Sequence, residues 1–236
     1  MYVTEMLNGR PYQCFVAVPM FPDIDASLVK AYSALDRRFA ATLDPGAFPI
    51  RAAATVAQGR NRVDPGDRQA RAAVALQRWL ARDRLGVEQL RKAHAALTGA
   101  AVSDFRRGPV WMGGPHPADA WHVGAPPSRL NGLMKQLMGL PERPWPSTLQ
   151  ALVALLRILQ THPFADGNGR IARWYAIWLA HRSLGPALGP LDLLDALCDR
   201  TRFDLNAASL EVQNSGRFEV FLSQAHALAL QELETD

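Results

Sequence analysis

The chain has 236 residues, of which 48% are hydrophobic and 20% are charged. This composition excludes an intrinsically disordered protein, and the length suits one compact domain with a sizeable core. The net charge is +4, but the basic residues are scattered and nearly all are arginines. The sequence lacks the basic run typical of nucleic-acid binding, so we expect no nucleic-acid partner. Cys14 and Cys198 are too few and too far apart for a disulfide framework or a cysteine metal site.

Residues 1–26 predict an irregular N-terminal arm, because Pro11, Pro19 and Pro22 interrupt them. The apolar run CFVAV within this arm is typical of a short strand or an extended segment. No basic region followed by an apolar core marks a signal peptide, and no apolar run approaches the ~18 residues of a membrane span. We therefore expect a cytoplasmic protein with no membrane partner, although some secretion routes leave no readable signal.

Residues 27–236 predict a single helical domain. Apolar side chains recur three and four residues apart in ASLVKAYSALDRRFAATL, PIRAAATVAQGRN, GDRQARAAVALQRWLARDRLG and GVEQLRKAHAALTG. Within residues 105–127, the runs PVWM and AWHV flank a Gly-Gly-Pro turn and predict a β-hairpin with a long tip. A hairpin this small is marginal alone, so we expect it to lie against the helices. We assign no role to His116 and His122, which fall in this hairpin.

A second group of helices follows the hairpin. Ser147 is predicted to be an N-cap, with Gln150 completing a capping box. The apolar residues after Ser147 cover most of the helix circumference, which predicts the most buried helix of the chain. The segment THPFADGNGRIAR follows directly, and Trp174 and Trp178 in the next helix are predicted core residues.

The segment THPFADGNGRIAR is predicted to join two helices, one ending near His162 and one starting near Asn168. The N-terminus of a helix presents unpaired N–H groups and a positive dipole end, which bind phosphate. Glycines let several N–H groups converge into an anion-binding nest. Arg170 and Arg173 are three residues apart, so they lie on one helix face and can contact the same polyphosphate.

Two further residues of this segment suggest chemistry beyond binding. Asp166 would be unfavourable beside phosphate unless a divalent cation lay between them, and one carboxylate plus phosphate oxygens suits Mg²⁺. His162 supplies a base that takes a proton near neutral pH. Each residue alone has a structural explanation, as a helix cap, a turn or a solvated arginine. Their conjunction indicates transfer of a phosphate-bearing group to a hydroxyl.

The complete pattern, HPFADGNGRIAR, resembles the signature of the Fic family. The similarity extends to LRKAHAALTG, FRRGPVWMGG and WHVGAPPSRL, and the order of elements from about residue 50 to 225 follows the family's helical core. The resemblance implies an all-α Fic fold, a helical bundle with a small β-hairpin flap beside the active-site loop.

The resemblance also implies an activity, the transfer of AMP from Mg-ATP to a Ser, Thr or Tyr hydroxyl of a protein, with release of pyrophosphate. By matching position, His162 is the general base, Asp166 holds Mg²⁺, Arg170 contacts the β-phosphate and Arg173 the γ-phosphate. The implied anion hole consists of Gly167, Asn168 and Gly169. The implied target-docking strand of the flap, which binds a target segment by strand addition, consists of Gly108, Pro109, Val110, Trp111, Met112, Gly113 and Gly114.

Several alternatives stay open at this point. Gly169 argues against a kinase-like branch of the family that carries lysine there. The motif does not distinguish AMP from UMP, GMP or phosphocholine as the transferred group. A non-catalytic module that binds a nucleotide or a partner is a further alternative, which the intact His162 and Asp166 count against. The target protein and a homodimer are also left open.

The segment at residues 50–64 resembles the inhibitory helix of many Fic proteins, in degenerate form. That helix carries Ser or Thr, three residues, then Glu, whose carboxylate pairs with the second motif arginine. This chain has Ala54 and Gln58 at those positions. A neutral amide can hydrogen-bond Arg173 but lacks the ion pair, so we expect weak autoinhibition. In the alternative interpretation, Gln58 is an incidental residue on the helix surface.

Overall fold

The computed structural model describes residues 1–16, 20–58 and 64–235. This part of the chain contains ten α-helices and two separate two-stranded antiparallel sheets. The strands are β1 (Tyr2–Leu7), β2 (Arg10–Phe15), β3 (Trp111–Met112) and β4 (His122–Val123). The helices are α1 (Ala26–Phe39), α2 (Phe48–Ala57), α3 (Pro65–Trp79), α4 (Val87–Thr98), α5 (Leu130–Leu137), α6 (Ser147–Thr161), α7 (Asn168–Leu184), α8 (Gly189–Cys198), α9 (Leu205–Ser215) and α10 (Phe218–Thr235). The expected helical fold with a small hairpin flap is confirmed.

Helices α6 and α7 form the centre of the core. They contact each other more extensively than any other pair of elements in the described residues. Nearly every residue of α6 is buried, as predicted from its apolar circumference. Trp174 and Trp178 of α7 are also buried in the core, as predicted, together with Tyr175 between them. The loop that joins these two helices is therefore held on both sides by the best-packed part of the protein.

The N-terminus of α6 is capped differently from the prediction. Ser147 is the first helical residue, and Pro146 occupies the N-cap position without a side-chain hydrogen bond. The carboxylate of Asp36, in α1, accepts hydrogen bonds from the backbone N–H groups of Ser147 at 2.7 Å and Thr148 at 3.2 Å. Gln150 instead donates to backbone carbonyls just before the helix. The predicted capping box is wrong because a carboxylate distant in sequence satisfies these donors.

The predicted irregular arm is also wrong for residues 2–15, which form the β1–β2 hairpin. Asn8 and Gly9 make the turn with φ values of 49° and 75°. An Asn-Gly pair suits this two-residue hairpin turn, because both positions need positive φ. Tyr12 and Cys14 of β2 pack against Val123 of β4. The hairpin therefore gains its stability from the flap behind it, a contact that local sequence does not reveal.

The flap is a short hairpin in which Trp111 of β3 pairs with Val123 of β4. Gly113 and Gly114 follow β3 with φ values of 79° and 70°. The flap is tied to the N-terminal hairpin by an ion pair between Arg10 and Asp119 at 3.1 Å. The predicted hairpin over residues 105–127 is thus present, although its paired strands are shorter than the runs that predicted it.

Helix α2 begins two residues before the predicted inhibitory segment and covers its residues 50–57, while residues 59–63 of that segment lie outside the described residues. Among the described residues, no helix is both long enough and apolar enough to cross a membrane.

Candidate active site

The loop between α6 and α7 has the predicted helix boundaries. Helix α6 ends at Thr161, and His162 adopts the left-handed conformation with φ of 49°. Gly167, with φ of 76°, precedes the first residue of α7, Asn168. Phe164 is fully buried and anchors the loop in the core. The loop therefore sits at the C-terminus of one buried helix and the N-terminus of another.

The imidazole of His162 is poised as a neutral proton acceptor. Its Nδ1 lies 3.3 Å from the carbonyl oxygen of Leu159, and a carbonyl can only accept, so Nδ1 carries the proton and Nε2 has the lone pair. The pKa of His162 is lowered to about 4, mainly by burial; the nearby His122 and Arg106 also lower it, while the Leu159 carbonyl and Asp166 act in the opposite direction. At neutral pH the ring is therefore uncharged.

His122 lies closer to this site than the sequence indicated. Its ring centroid is 6.4 Å from that of His162, and its side chain is buried. Nδ1 of His122 donates to the amide oxygen of Gln213 at 2.7 Å. Both residues of β4, His122 and Val123, are buried, so the strand shows no inward–outward alternation and the available sequence signal was the position of His122 in the run AWHV.

The glycine turn and Asn168 shape the start of α7. The Asn168 side chain binds the loop, since its Oδ1 accepts from the Phe164 N–H at 2.9 Å and its Nδ2 donates to the Phe164 carbonyl at 2.8 Å. A Cβ on Gly167 would lie 2.9 Å from Nε2 of His94. The first N–H groups of α7 thus belong to a backbone held in place by an asparagine clamp and by close packing.

His94 supports the same loop and was missed by the sequence analysis. Its ring stacks on Phe164 with centroids 3.7 Å apart, and Nε2 donates to the carbonyl of Asp166 at 2.7 Å. Nδ1 of the neutral ring accepts from the Ser103 hydroxyl at 2.6 Å. Burial lowers the pKa of His94, which favours this neutral form. The signal that could have found it is a histidine on the apolar face of α4.

Arg170 is buried beside an exposed carboxylate. Its Nη1 donates to the carbonyl of Leu97 at 2.8 Å, and its Nη2 lies 3.4 Å from Oδ2 of Asp166. The Arg170 side chain is 8% exposed, whereas that of Asp166 is 71% exposed. Among the described residues, no three His, Cys, Asp or Glu side chains form a metal-binding group. A divalent cation here would therefore need most of its ligands from a phosphate group and water.

Arg173 is bound to the end of α2. Its Nε donates to the carbonyl of Thr55 at 2.8 Å, and its Nη2 donates to the carbonyls of Val56, at 3.1 Å, and Gln58. The last carbonyls of a helix have no intrahelical partner and carry the negative end of its dipole, so a guanidinium satisfies them well. Burial lowers the pKa of Arg173.

The expected side-chain contact between Gln58 and Arg173 is not present, which corrects the sequence-based interpretation. Nε2 of Gln58 donates instead to Oδ1 of Asp195, in α8, at 2.5 Å. Gln58 is the C-cap of α2 with extended backbone (ψ of 145°), so its carbonyl and its side chain contact different partners. The contact between α2 and Arg173 is therefore made by the backbone, whatever side chain stands at position 58.

A cavity of about 470 Å³ opens beside Gly169 and Arg173. Its apolar walls come from Leu155 and Leu159 of α6 and from residues around α8 and α9, which the sequence analysis did not select. These further lining residues include Leu197, Cys198, Phe203 and Leu205. The cavity is large enough for a nucleoside-sized group next to the start of α7.

Part of the sequence matches the model of a known protein family. The family model described as "Fic/DOC family" matches residues 84–180, which include α4, the flap, α6, the loop and most of α7. No curated protein sequence matches the chain.

Solved structures share the fold over most of the chain. A Fic family protein from Desulfovibrio desulfuricans G20 has a TM-score of 0.64 at 19% identity, with 92% of this chain and 77% of that chain covered. Fic-1 from C. elegans (residues 134–508) has a TM-score of 0.59 at 17% identity, with 89% and 70% covered. Residues 84–180 match the Fic/DOC family model and the chain shares the fold of solved Fic proteins, which together support a Fic-type transferase.

Proposed function

We propose that the protein transfers AMP from Mg-ATP to a Ser, Thr or Tyr hydroxyl of a target protein. The observation that carries this proposal is the placement of a neutral histidine, His162, one loop away from a helix N-terminus that holds two buried arginines. Histidine as base, converging N–H groups and paired guanidinium groups are what attack of a hydroxyl on a polyphosphate requires.

In the proposed reaction, Nε2 of His162 takes the proton of the target hydroxyl. The hydroxyl oxygen forms a bond to the α-phosphorus, and the bond from that phosphorus to the bridging oxygen of the β-phosphate breaks. Pyrophosphate leaves with the electron pair. A depressed pKa keeps His162 unprotonated before the reaction, so that the base is available at neutral pH.

The same proposal assigns the phosphate contacts. The backbone N–H groups of Gly167, Asn168 and Gly169 bind phosphate oxygens at the start of α7, and Arg170 contacts the β-phosphate. Asp166, an exposed carboxylate one residue before the glycine turn, holds Mg²⁺. When bound, Mg²⁺ neutralises charge on the α- and β-phosphates. The apolar cavity beside Gly169 receives the nucleoside.

The flap provides the proposed docking edge for the target. Within the described residues, β3 pairs with β4 on one side only, which leaves its other edge available for strand addition. A Cβ on Gly124, next to β4, would lie 3.0 Å from Cβ of His162 and 3.0 Å from Val110. The flap therefore packs directly against His162, the proposed base.

Labelled nucleotides test the proposal directly. The purified protein is incubated with Mg-ATP labelled at the α- or the γ-phosphate, with His162→Ala as the control. Label incorporated into protein from the α-phosphate alone, and lost in His162→Ala, supports AMP transfer. Label from the γ-phosphate alone indicates a kinase and contradicts the proposal. If neither label is transferred, UTP, GTP and CDP-choline are tested as donors, and no transfer from any of them supports a binding module.

As the pH is lowered, the rate of transfer should begin to fall only at an unusually low pH. Because the pKa of His162 is lowered to about 4, we expect the single-turnover rate to stay high well below pH 6.5, the ordinary histidine pKa. The measurement is the rate from pH 4.5 to 8 with saturating Mg-ATP. An acid limb centred near pH 6.5 would contradict the assignment of a buried neutral base.

Protein stability must be followed in the same samples. The unfolded chain binds a proton at position 162 near pH 6.5, while the folded chain does so near pH 4. The unfolded state therefore binds more protons between these values, and the free energy of unfolding falls as the pH is lowered through this range. Rates are compared only where circular dichroism shows a fully folded protein.

Gln58→Glu should lower transfer by about tenfold, as expected for one charge-assisted hydrogen bond. The introduced carboxylate cannot make the hydrogen bond that the Gln58 amide donates to Asp195, and the two carboxylates repel each other. Arg173 already binds the backbone carbonyl at position 58, so the new carboxylate can pair with its guanidinium. A stronger hold on Arg173 keeps that guanidinium from the γ-phosphate. The measurement is the rate of automodification from α-labelled ATP.

Gln58→Ala is the matched control for this change, because it removes the contact to Asp195 without adding charge. It should transfer at least as fast as the wild-type protein. Equal rates for the Glu and Ala variants would contradict competition for Arg173 by a carboxylate at this position.

A further inference from the structure

Arg106 binds the backbone of three segments that meet at His162. It is only 8% exposed, and it lies at the start of the flap, before the paired strands β3 and β4. Nε donates to the carbonyl of His162 at 2.6 Å, and Nη1 donates to the carbonyl of Gly108 at 2.7 Å. Nη2 donates to the carbonyl of Ala125 and, at 3.3 Å, to that of Thr161. One guanidinium therefore joins the end of α6 to both ends of the flap.

At the end of α6 this contact stabilises an unusual backbone. The carbonyls of Thr161 and His162 lie at the helix C-terminus, where they lack intrahelical partners and favour a cation. His162 has a positive φ of 49°, a backbone conformation that is unfavourable for a non-glycine residue. Hydrogen bonds from Arg106 to both carbonyls offset this cost and fix the direction in which the His162 side chain leaves the backbone.

At the flap the same guanidinium holds the first and last residues of the hairpin. Gly108 begins the proposed docking strand, and Ala125 follows β4. The backbone N–H of Ala125 also donates to the Thr161 carbonyl at 3.1 Å. The packing is tight, since a Cβ on Gly124 would lie 2.9 Å from Nη2 of Arg106. The flap and the end of α6 cannot move apart without breaking these bonds.

We infer that Arg106 is a positioning residue that sets the distance between the docking strand and the base, so that a docked hydroxyl reaches Nε2 of His162. This inference rests on the proposed function. Arg106 acts through His162 and the flap backbone without touching the substrate. The arginine side chain suits this role because its five N–H donors lie in a rigid planar fork that spans the separate carbonyls, whereas the lysine ammonium is a compact point charge with three rotatable donors. Burial lowers the pKa of Arg106 to about 10, so the group is still charged at neutral pH.

The test compares Arg106→Gln and Arg106→Lys with Arg157→Gln. Arg157 is a matched control because it is also buried and also donates to a backbone carbonyl, that of Met20 at 2.9 Å, away from the loop. Automodification from α-labelled ATP is measured at a temperature where all variants are folded. A misplacement of about 1 Å can cost on the order of 10²-fold, so Arg106→Gln should lower kcat by about that factor. The KM for ATP should stay within about twofold because the Arg106 guanidinium binds the carbonyls of Thr161 and His162, at the other end of the loop from the phosphate-binding residues 167–169.

Arg106→Lys should restore only a small part of the lost rate, and Arg157→Gln should lower the melting temperature without lowering kcat. A second readout does not depend on activity. Amide hydrogen exchange of residues 108–112 and 122–125 should be about tenfold faster in Arg106→Gln and unchanged in Arg157→Gln. Wild-type kcat in Arg106→Gln, or a kcat loss as large in Arg157→Gln, would overturn the inference.

Unchanged exchange in the flap of Arg106→Gln would overturn the inference whatever the activity. If the wild-type protein transfers no labelled group, the proposed function fails, and the exchange comparison alone then decides whether Arg106 ties the flap to α6.

Discussion

His162→Ala should lower the rate of transfer from α-labelled ATP by about 10²–10⁴-fold, the usual contribution of a general base. The substitution leaves the Phe164 anchor, the Asn168 clamp and the arginines of α7 in place. ATP affinity should therefore stay within about twofold of the wild-type value. The rate is measured by automodification, and the affinity by titration calorimetry with Mg-ATP.

His181→Ala is the matched control, because His181 is a partly buried histidine near the other end of α7, in ring contact with Phe48. It should retain the wild-type transfer rate. If His162→Ala kept more than a tenth of that rate, another group would have to accept the proton. His122, whose ring is 6.4 Å away, would then be the first residue to examine.

Arg173→Met should lower transfer by about 10³-fold, in the range known for arginines that stabilise a transferring phosphate. The substitution also leaves the buried carbonyls of Thr55 and Val56, and the partly buried carbonyl of Gln58, without their donor. Unsatisfied buried acceptors cost about 1–3 kcal/mol each before relaxation. The variant should therefore melt at a lower temperature even without nucleotide, since the end of α2 loses its attachment to α7.

Thermal unfolding with and without Mg-ATP separates the two effects. The wild-type protein should gain stability from Mg-ATP, and Arg173→Met should gain almost none. Arg157→Met loses a buried guanidinium elsewhere in the core, so it should melt lower but keep the nucleotide-induced shift. A normal shift in Arg173→Met would show that this arginine does not contact the nucleotide.

The loop between α6 and α7 and the helix ends beside it could be predicted, because they depend on residues close together in sequence. Helix periodicity, the glycine positions and the three-residue spacing of Arg170 and Arg173 depend only on nearby residues. The end of α6, the start of α7 and the burial of Trp174 and Trp178 follow from such patterns and are confirmed.

The remaining features depend on contacts between distant residues, which a pattern within one segment does not encode. Arg173 donates to carbonyls more than 100 residues away, and Asp36 caps a helix that begins 111 residues later. In both contacts the partner atoms belong to the backbone, which every residue type has. The identity of the partner residues therefore could not reveal these contacts from the sequence. Arg106 was missed for the same reason, because each of its acceptors is a carbonyl.

The N-terminal hairpin was missed for a different reason. Its Asn8–Gly9 turn is a strong local signal, but the prolines nearby obscured it, and its buried side chains pack against residues distant in sequence, in the flap and in the main core. Pro11 fits within β2 because a two-stranded sheet leaves N–H groups on its outer edges unpaired.

The support behind the flap comes from both ends of the chain. The hydroxyl of Tyr2 donates to Asn214 at 2.7 Å, and Gln213 donates to the same hydroxyl at 3.0 Å while it accepts from His122 of the flap. Along the chain, β1 lies before the catalytic loop and α9 lies after it. The support of the flap therefore joins residues more than 200 positions apart in sequence, so the surface that receives the target is complete only once α9 has packed against the N-terminal hairpin.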